Sequence, residues 1–251
     1  MPGRRTDYLS EEGLRIDGRR AGEARRMRCR LGAAAQADGS CYLELGNTKV
    51  LVTVIGPHEA RGRARKEAQH DRAVLTCAFV PAPYATGQHR ATGGRDRGSA
   101  ELAMEVRQVF EHVVQVQLYA HSQIDVSIVL LQADGGVRSA ALNATTLALV
   151  DAGIALEDFV CACSVASIQG ALLLDPNSQE DSVGAELSVG YLARSEKVAC
   201  CELESKLPLS ALEETLNFAV QGCTQLYEVM RDAVQVRMAE QLSSRGGVLN
   251  S

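Results

Sequence analysis

Four strand-like segments follow one another with little chain between the first three, at residues 27–35, 41–45, 49–55 and 73–80. Alternating side chains broken by the turns Ala37-Asp38-Gly39-Ser40 and Gly46-Asn47 commit this part of the chain to an antiparallel sheet. The stretch before the fourth strand, residues 56–72, is a basic loop that carries Arg61, Arg63, Arg65, Lys66 and Arg72. A second Gly- and Arg-rich segment, residues 84–98, contains Arg90, Arg95 and Arg97 and has too little apolar content to pack by itself.

Downstream the hydrophobic period changes. Leu102, Val106, Val109, Phe110, Val113, Val114 and Val116 recur at helical spacing within 99–118, residues 124–131 read as a strand, and an Ala/Leu/Thr-rich helix spans 138–151 and closes at Gly153. Further strands are expected at 159–168, 171–174, 186–192 and 198–203. Ser210 and Glu213 form a capping box that opens a long helix with Leu212, Leu216, Ala219, Cys223, Leu226 and Met230 along one side. Strands and helices arriving in blocks predict an α+β fold, with mixed sheets packed against helices. Residues 1–251 are expected to form a single domain with loose termini at about 1–13 and 242–251.

Charge narrows the class of partner. The net charge is −5, but residues 1–124 hold 19 basic and 14 acidic side chains while residues 125–251 hold 7 and 17. A positive first half suits a polyanion, and because only four of the 26 basic residues are lysine, the positive face is one of arginine forks. The alternative is a solvated arginine surface. No run of eighteen apolar residues occurs, so a soluble intracellular chain with no membrane partner is expected. The eight cysteines lack paired CxxC spacing and read as small core residues of a reduced compartment.

Two segments have the residue types for chemistry. Gln132 to Ser139 places Gly135 and Gly136 between a strand and a helix, with Arg138 in the first helical turn. Backbone donors at a helix N-terminus beside a guanidinium make a candidate phosphate site; the same glycines also serve an ordinary tight turn. The second segment joins Asp181 to Glu186, which alternation puts on the face opposite Leu187, Val189 and Tyr191. Two such carboxylates can hold Mg²⁺ or share a proton at a phosphoryl centre, or they can belong to a solvated acidic turn.

Several short runs resemble one family when taken together. They are Arg-Ile-Asp-Gly-Arg-Arg at 15–20, Gln-Ala-Asp-Gly-Ser at 36–40, Gly-Asn-Thr-Lys at 46–49, Leu-Gln-Ala-Asp-Gly-Gly at 131–136, Asp-Ala-Gly at 151–153 and Asp-Phe-Val-Cys-Ala-Cys at 158–163. The chain resembles the RNase PH family and, within it, the RNase PH-type subunit of the eukaryotic RNA exosome core that keeps the better preserved phosphorolytic active site. The resemblance runs from about Leu14 to the C-terminal helix.

That resemblance implies a ribosomal-protein-S5-domain-2-like fold and a six-membered ring with other RNase PH-like exosome subunits, RNA-binding cap subunits and an associated hydrolytic nuclease. It implies single-stranded RNA as partner, guided for 3′→5′ processing and degradation in rRNA maturation and in mRNA and noncoding RNA turnover, in nucleus, nucleolus and cytoplasm. Arg61, Arg63, Arg65, Arg72, Arg90 and Arg95 would grip its backbone. The alternative is a catalytically active, phosphate-dependent 3′→5′ exoribonuclease. In that chemistry an oxygen of inorganic phosphate bonds to the terminal phosphorus, the P–O3′ bond breaks, and a nucleoside diphosphate leaves. Gly136, Arg138, Ser139 and Arg97 would then bind phosphate, with Asp181 and Glu186 catalytic and holding Mg²⁺. The chain departs from the family pattern at Val137, at Gly98 where an arginine is usual, and at Glu186.

Overall fold

The structure is a computed structural model and describes residues 9–10, 13–60, 72–85, 97–168 and 170–246. Strands β1 (Met27–Leu31), β2 (Gly39–Leu45), β3 (Thr48–Glu59), β4 (Val74–Pro81) and β5 (Ser122–Gln132) form one sheet in the order β1-β2-β3-β5-β4. Cross-strand pairs such as Cys41 with Val52 and Leu43 with Val50 put one apolar face of β2 and β3 in the core, as alternation requires. β1 ends at Leu31 rather than at 35, where Gly32 takes φ +67° and turns the chain.

The expectation of an antiparallel run through all four early strands is corrected at the last of them. β4 pairs in parallel with β5, which separates it from β3. A parallel neighbour needs a crossover, and α1 (Arg97–Val113) supplies it by packing its Val106, Val109, Phe110 and Val113 face against β4. This helix stops at Val113, short of the expected 118, and a separate 3-10 turn covers Val116–Tyr119.

β6 (Val160–Ile168), β7 (Ala171–Leu174), β8 (Ala185–Leu192) and β9 (Lys197–Leu203) make a second, antiparallel sheet in the order β7-β6-β8-β9. α2 (Val137–Asp151) lies between the sheets, against β2 and β3 on one side and β6 on the other. Every residue from Ser139 to Leu149 is buried, so this helix has no polar stripe. Its small side chains, Ala140, Ala141, Ala144 and Ala148, admit both sheets closely. Its polar ones bond to strand backbone: Asn143 Nδ2 donates to Ala162 O at 2.9 Å, Asn143 Oδ1 accepts from Ala162 N at 2.7 Å, and Thr146 donates to Val160 O at 2.8 Å.

α3 (Ser178–Asp181) is a four-residue helix in what the sequence pattern reads as loop. α4 (Leu209–Gly246) covers the second sheet through Ala219, Cys223, Leu226, Met230 and Val234. The expected capping box at Ser210 is also corrected, because the helix begins at Leu209 and leaves Ser210 inside its first turn. The capping box that does form is on α3: Asn177 Oδ1 accepts from Gln179 N and Glu180 N, and Glu180 Oε2 accepts from Asn177 N. Residues 242–246, within the stretch expected to be a loose terminus, belong to α4, and residues 247–251 lie outside the described residues. At the other end, Leu9 bridges to Arg15. A single apolar cluster joins both sheets, α1, α2 and α4. No described helix is long and apolar enough to cross a membrane. All eight cysteines are free, and burial pushes the Cys77 and Cys223 thiols up to about 12.

Candidate phosphate and metal site

The turn from β5 into α2 is built by glycine geometry and by one arginine. Gly135 and Gly136 take φ +75° and +58°, and a Cβ on Gly135 would lie 2.6 Å from Pro176 O. Arg25 grips both sides of this turn. Its Nε and Nη2 donate to Asp175 Oδ2 and Oδ1 at 2.8 and 2.7 Å, and Nη2 also donates to Gly135 O at 3.2 Å. The bidentate pair holds Asp175 at φ +52°, a conformation that costs a non-glycine residue on the order of 1–3 kcal/mol.

Arg15 performs the equivalent task for α3. It donates to Glu180 from Nε and Nη2 in a fully buried ion pair, and Nη1 reaches Leu174 O at 2.6 Å. These arginines of the N-terminal segment thus tie the β7–α3 corner to the Gly-Gly turn. Asp181, the last residue of α3, comes to lie across a cavity from the start of α2.

That cavity measures about 330 Å³ and is lined by Gly135, Gly136, Val137 and Arg138, by Asp181 and Glu186, and by Leu102, Ala133, Ser178 and Glu204. The structure therefore brings together Gly136, Arg138, Asp181 and Glu186, which are far apart in sequence. Glu186 Oε1 accepts from Ser188 Oγ at 3.3 Å, and Asp181 lines the same cavity. Burial first, then the neighbouring Asp181 carboxyl, push Glu186 up to about 7, against the opposing pull of Ser164 and Arg138. Among the described residues, no three His, Cys, Asp or Glu side chains are gathered to hold a metal. Asp181 and Glu186 are a pair of oxygen donors, and Mg²⁺ commonly takes one or two carboxylates and completes its shell with water and phosphate oxygens. A cation between them would relieve the repulsion that raises Glu186, so this donor set fits Mg²⁺.

Three other expected residues fall elsewhere. Ser139 is 1% exposed and donates to Gly136 O at 2.8 Å, closing the first turn of α2 instead of offering its hydroxyl to the cavity. Arg97 is exposed at the first residue of α1 and is not among the cavity-lining residues, and neither is Gly98 beside it. Arg72 lines a different cavity of about 360 Å³ together with Arg107, Glu111 and His112. Arg61, Arg63, Arg65, Lys66, Arg90 and Arg95 lie outside the described residues.

Arg138 itself is engaged. Its Nε donates to Glu105 Oε2 at 2.8 Å and lies 3.1 Å from Glu202 Oε2, and its Nη1 donates to Glu204 Oε1 at 2.9 Å. These three glutamates are the site residues that the sequence pattern does not reveal. Glu105 shares a face of α1 with Leu102, and Glu202 and Glu204 are two apart at the end of β9. Each reads as an ordinary solvated acid until the folded chain gathers them.

Comparison with known proteins gives a consistent result. Residues 23–155 match the model of the 3′ exoribonuclease family domain 1, RNase PH, and residues 158–222 match that family's domain 2. The mouse protein "Exosome complex component RRP41" is 42% identical over 241 residues, covering 96% of this chain and 98% of the relative. In fold, rice Rrp46 superposes with a TM-score of 0.79 at 20% identity, over 88% of this chain and all of that one. A chain of the Archaeoglobus fulgidus exosome with RNA bound to the active site superposes at 0.74 and 24% identity, over 86% and 92% of the two chains.

Proposed function

The chain belongs to the RNase PH 3′ exoribonuclease family, and from that premise we propose that it is a core-ring subunit of an RNA exosome, binding single-stranded RNA and guiding it for 3′→5′ processing and degradation. Its neighbours in this reading are other RNase PH-like subunits completing a ring of six, RNA-binding cap subunits on one face and a hydrolytic nuclease that performs the cleavage. It works in nucleus, nucleolus and cytoplasm. Residues 1–251 act as one RNase PH-like domain.

The observation that carries guidance over catalysis is the state of Arg138. A phosphate-binding arginine works by offering its fork to the anion, whereas this fork already serves Glu105, Glu202 and Glu204. With Val137 contributing no hydroxyl, Ser139 turned inward and Arg97 outside the cavity, little remains among the described residues to compensate. Losing one charge-assisted bond to a phosphate costs roughly 1.5–3 kcal/mol, one to two powers of ten in binding.

A second reading is favoured by the convergence of Asp181 and Glu186 on that cavity: a phosphorolytic exoribonuclease that uses inorganic phosphate and Mg²⁺. Mg²⁺ held by these two carboxylates would supply positive charge to phosphoryl oxygens. Gly136 would let its backbone approach the phosphate, Arg138 would orient it, and the departing 3′ oxygen would take its proton from solvent while Asp181 and Glu186, ionised, hold the cation.

The deciding experiment uses the reconstituted ring with RNA, Mg²⁺ and inorganic phosphate, and measures nucleoside diphosphate release. No phosphate-stimulated release is expected from this subunit. Release that disappears in both Asp181→Asn and Arg138→Glu rings would replace the guide reading with the enzymatic one.

A further inference from the structure

Among the described residues that line the cavity, Arg138 is the one cation. The three carboxylates that meet it come from separate parts of the chain, α1 for Glu105, β9 for Glu202 and the residue after β9 for Glu204. A carboxylate and a phosphate offer a guanidinium the same kind of partner, paired anionic oxygens at hydrogen-bonding distance. From this geometry we infer that Glu105, Glu202 and Glu204 form an internal anion clasp on Arg138, which a phosphate-class anion must displace before it can occupy the cavity. The inference rests on reading this cavity as an anion site.

The placement of the three glutamates makes the clasp displaceable. Glu202 belongs to β9, the outer strand of its sheet, Glu204 follows that strand's last residue, and their side chains are 39% and 54% exposed. Water can take over their solvation when they swing away. The backbone that carries Glu204 is fixed, because its N–H donates to Glu186 O at 3.1 Å, so opening is a side-chain motion. Glu105 is the inner member, with a side chain 17% exposed.

The clasp also responds to protons. Among the described residues, the groups that face Glu105 are Arg138 from α2, Glu202 and Cys200 from β9 and Glu204 just after it, with Asp181 and Glu186 across the cavity. Burial first, then the Glu202 carboxyl beside it, push Glu105 up to about 7, against the pull of Arg138. As pH falls through that value, Glu105 takes up a proton and the clasp loses one negative charge. Arg138 then becomes more available to an external anion, so anion affinity rises as pH falls.

The test is calorimetric binding of sulfate and of inorganic phosphate to the full chain at low ionic strength. Sulfate carries the pH series because, unlike phosphate, it does not titrate near neutrality. Wild type, Glu202→Gln/Glu204→Gln, Glu105→Gln and Arg138→Gln are compared. Freeing Arg138 from competing charge-assisted bonds is expected to tighten sulfate binding about tenfold in the double variant at about pH 8. Wild-type affinity should rise several-fold on going to about pH 6, a rise that Glu105→Gln removes by binding tightly throughout. Arg138→Gln should abolish binding in every background. Equal affinities in wild type, the double variant and Glu105→Gln, all lost with Arg138, overturn the clasp while leaving the cavity an anion site. Binding that ignores Arg138, or no binding in any variant, overturns the anion-site reading and the clasp with it. The double variant changes only the more exposed positions, so its melting temperature should match wild type and its result stands even where Glu105→Gln folds poorly.

Discussion

At the scale of single residues, the site depends on positions where backbone conformation or a buried charge leaves no alternative. Gly135 is one, with its positive φ and no room for a Cβ against Pro176 O. Gly135→Ala is expected to lower stability by about 1–3 kcal/mol, read from chemical denaturation, because the methyl must displace the backbone that leads into α3. A variant as stable as wild type would show that the β5–α2 turn is looser than its packing implies. The same scale explains why Ser139 does not replace the hydroxyl lost at Val137. In the first turn of a buried helix its Oγ finds Gly136 O within 2.8 Å, and this local bond takes the group that a ligand would need.

At the scale of elements, the N-terminal segment positions the acidic side of the cavity from a distance. Arg15 reaches Glu180 on α3, and Arg25 reaches Asp175 just before it, so two ion pairs fix the corner from which Asp181 projects. Removing one partner of a buried pair leaves an uncompensated charge and costs about 3–5 kcal/mol, whereas replacing both with apolar groups costs far less. Arg15→Met and Glu180→Leu should each destabilise the chain by about that much, and the double variant should recover at least half of the summed loss in urea unfolding. Strictly additive losses would remove the pair from this role. The sequence reading treats the arginines near 15–20 as part of a motif and the segment at 178–181 as loop. Their contact, together with the Asn177–Glu180 capping box, explains why so short a helix is stable, since four residues cannot sustain one alone.

At the scale of the whole molecule, the uneven charge of the chain should act on RNA once the ring is assembled. Reversing Arg61, Arg63 and Arg65 to Glu is expected to weaken single-stranded RNA binding by the reconstituted ring and to flatten its dependence on salt, because fewer counterions are released. Unchanged affinity and slope would assign this loop to assembly. Much at this scale was legible in the chain itself. Binary alternation within 27–80 and 159–203, a buried Ala-rich helix at 138–151 and the period of α4 follow from which side chains must leave water, a property of each segment taken alone. What tertiary structure decided is how segments meet. It made β4 a parallel neighbour of β5, because a crossover helix carries the chain from the edge strand β4 back into the slot beside β3. It also drew Glu105, Glu202 and Glu204 onto Arg138. Those partners stand 33 to 66 residues from it, and no local pattern records an attraction that exists only when packing removes the water between them.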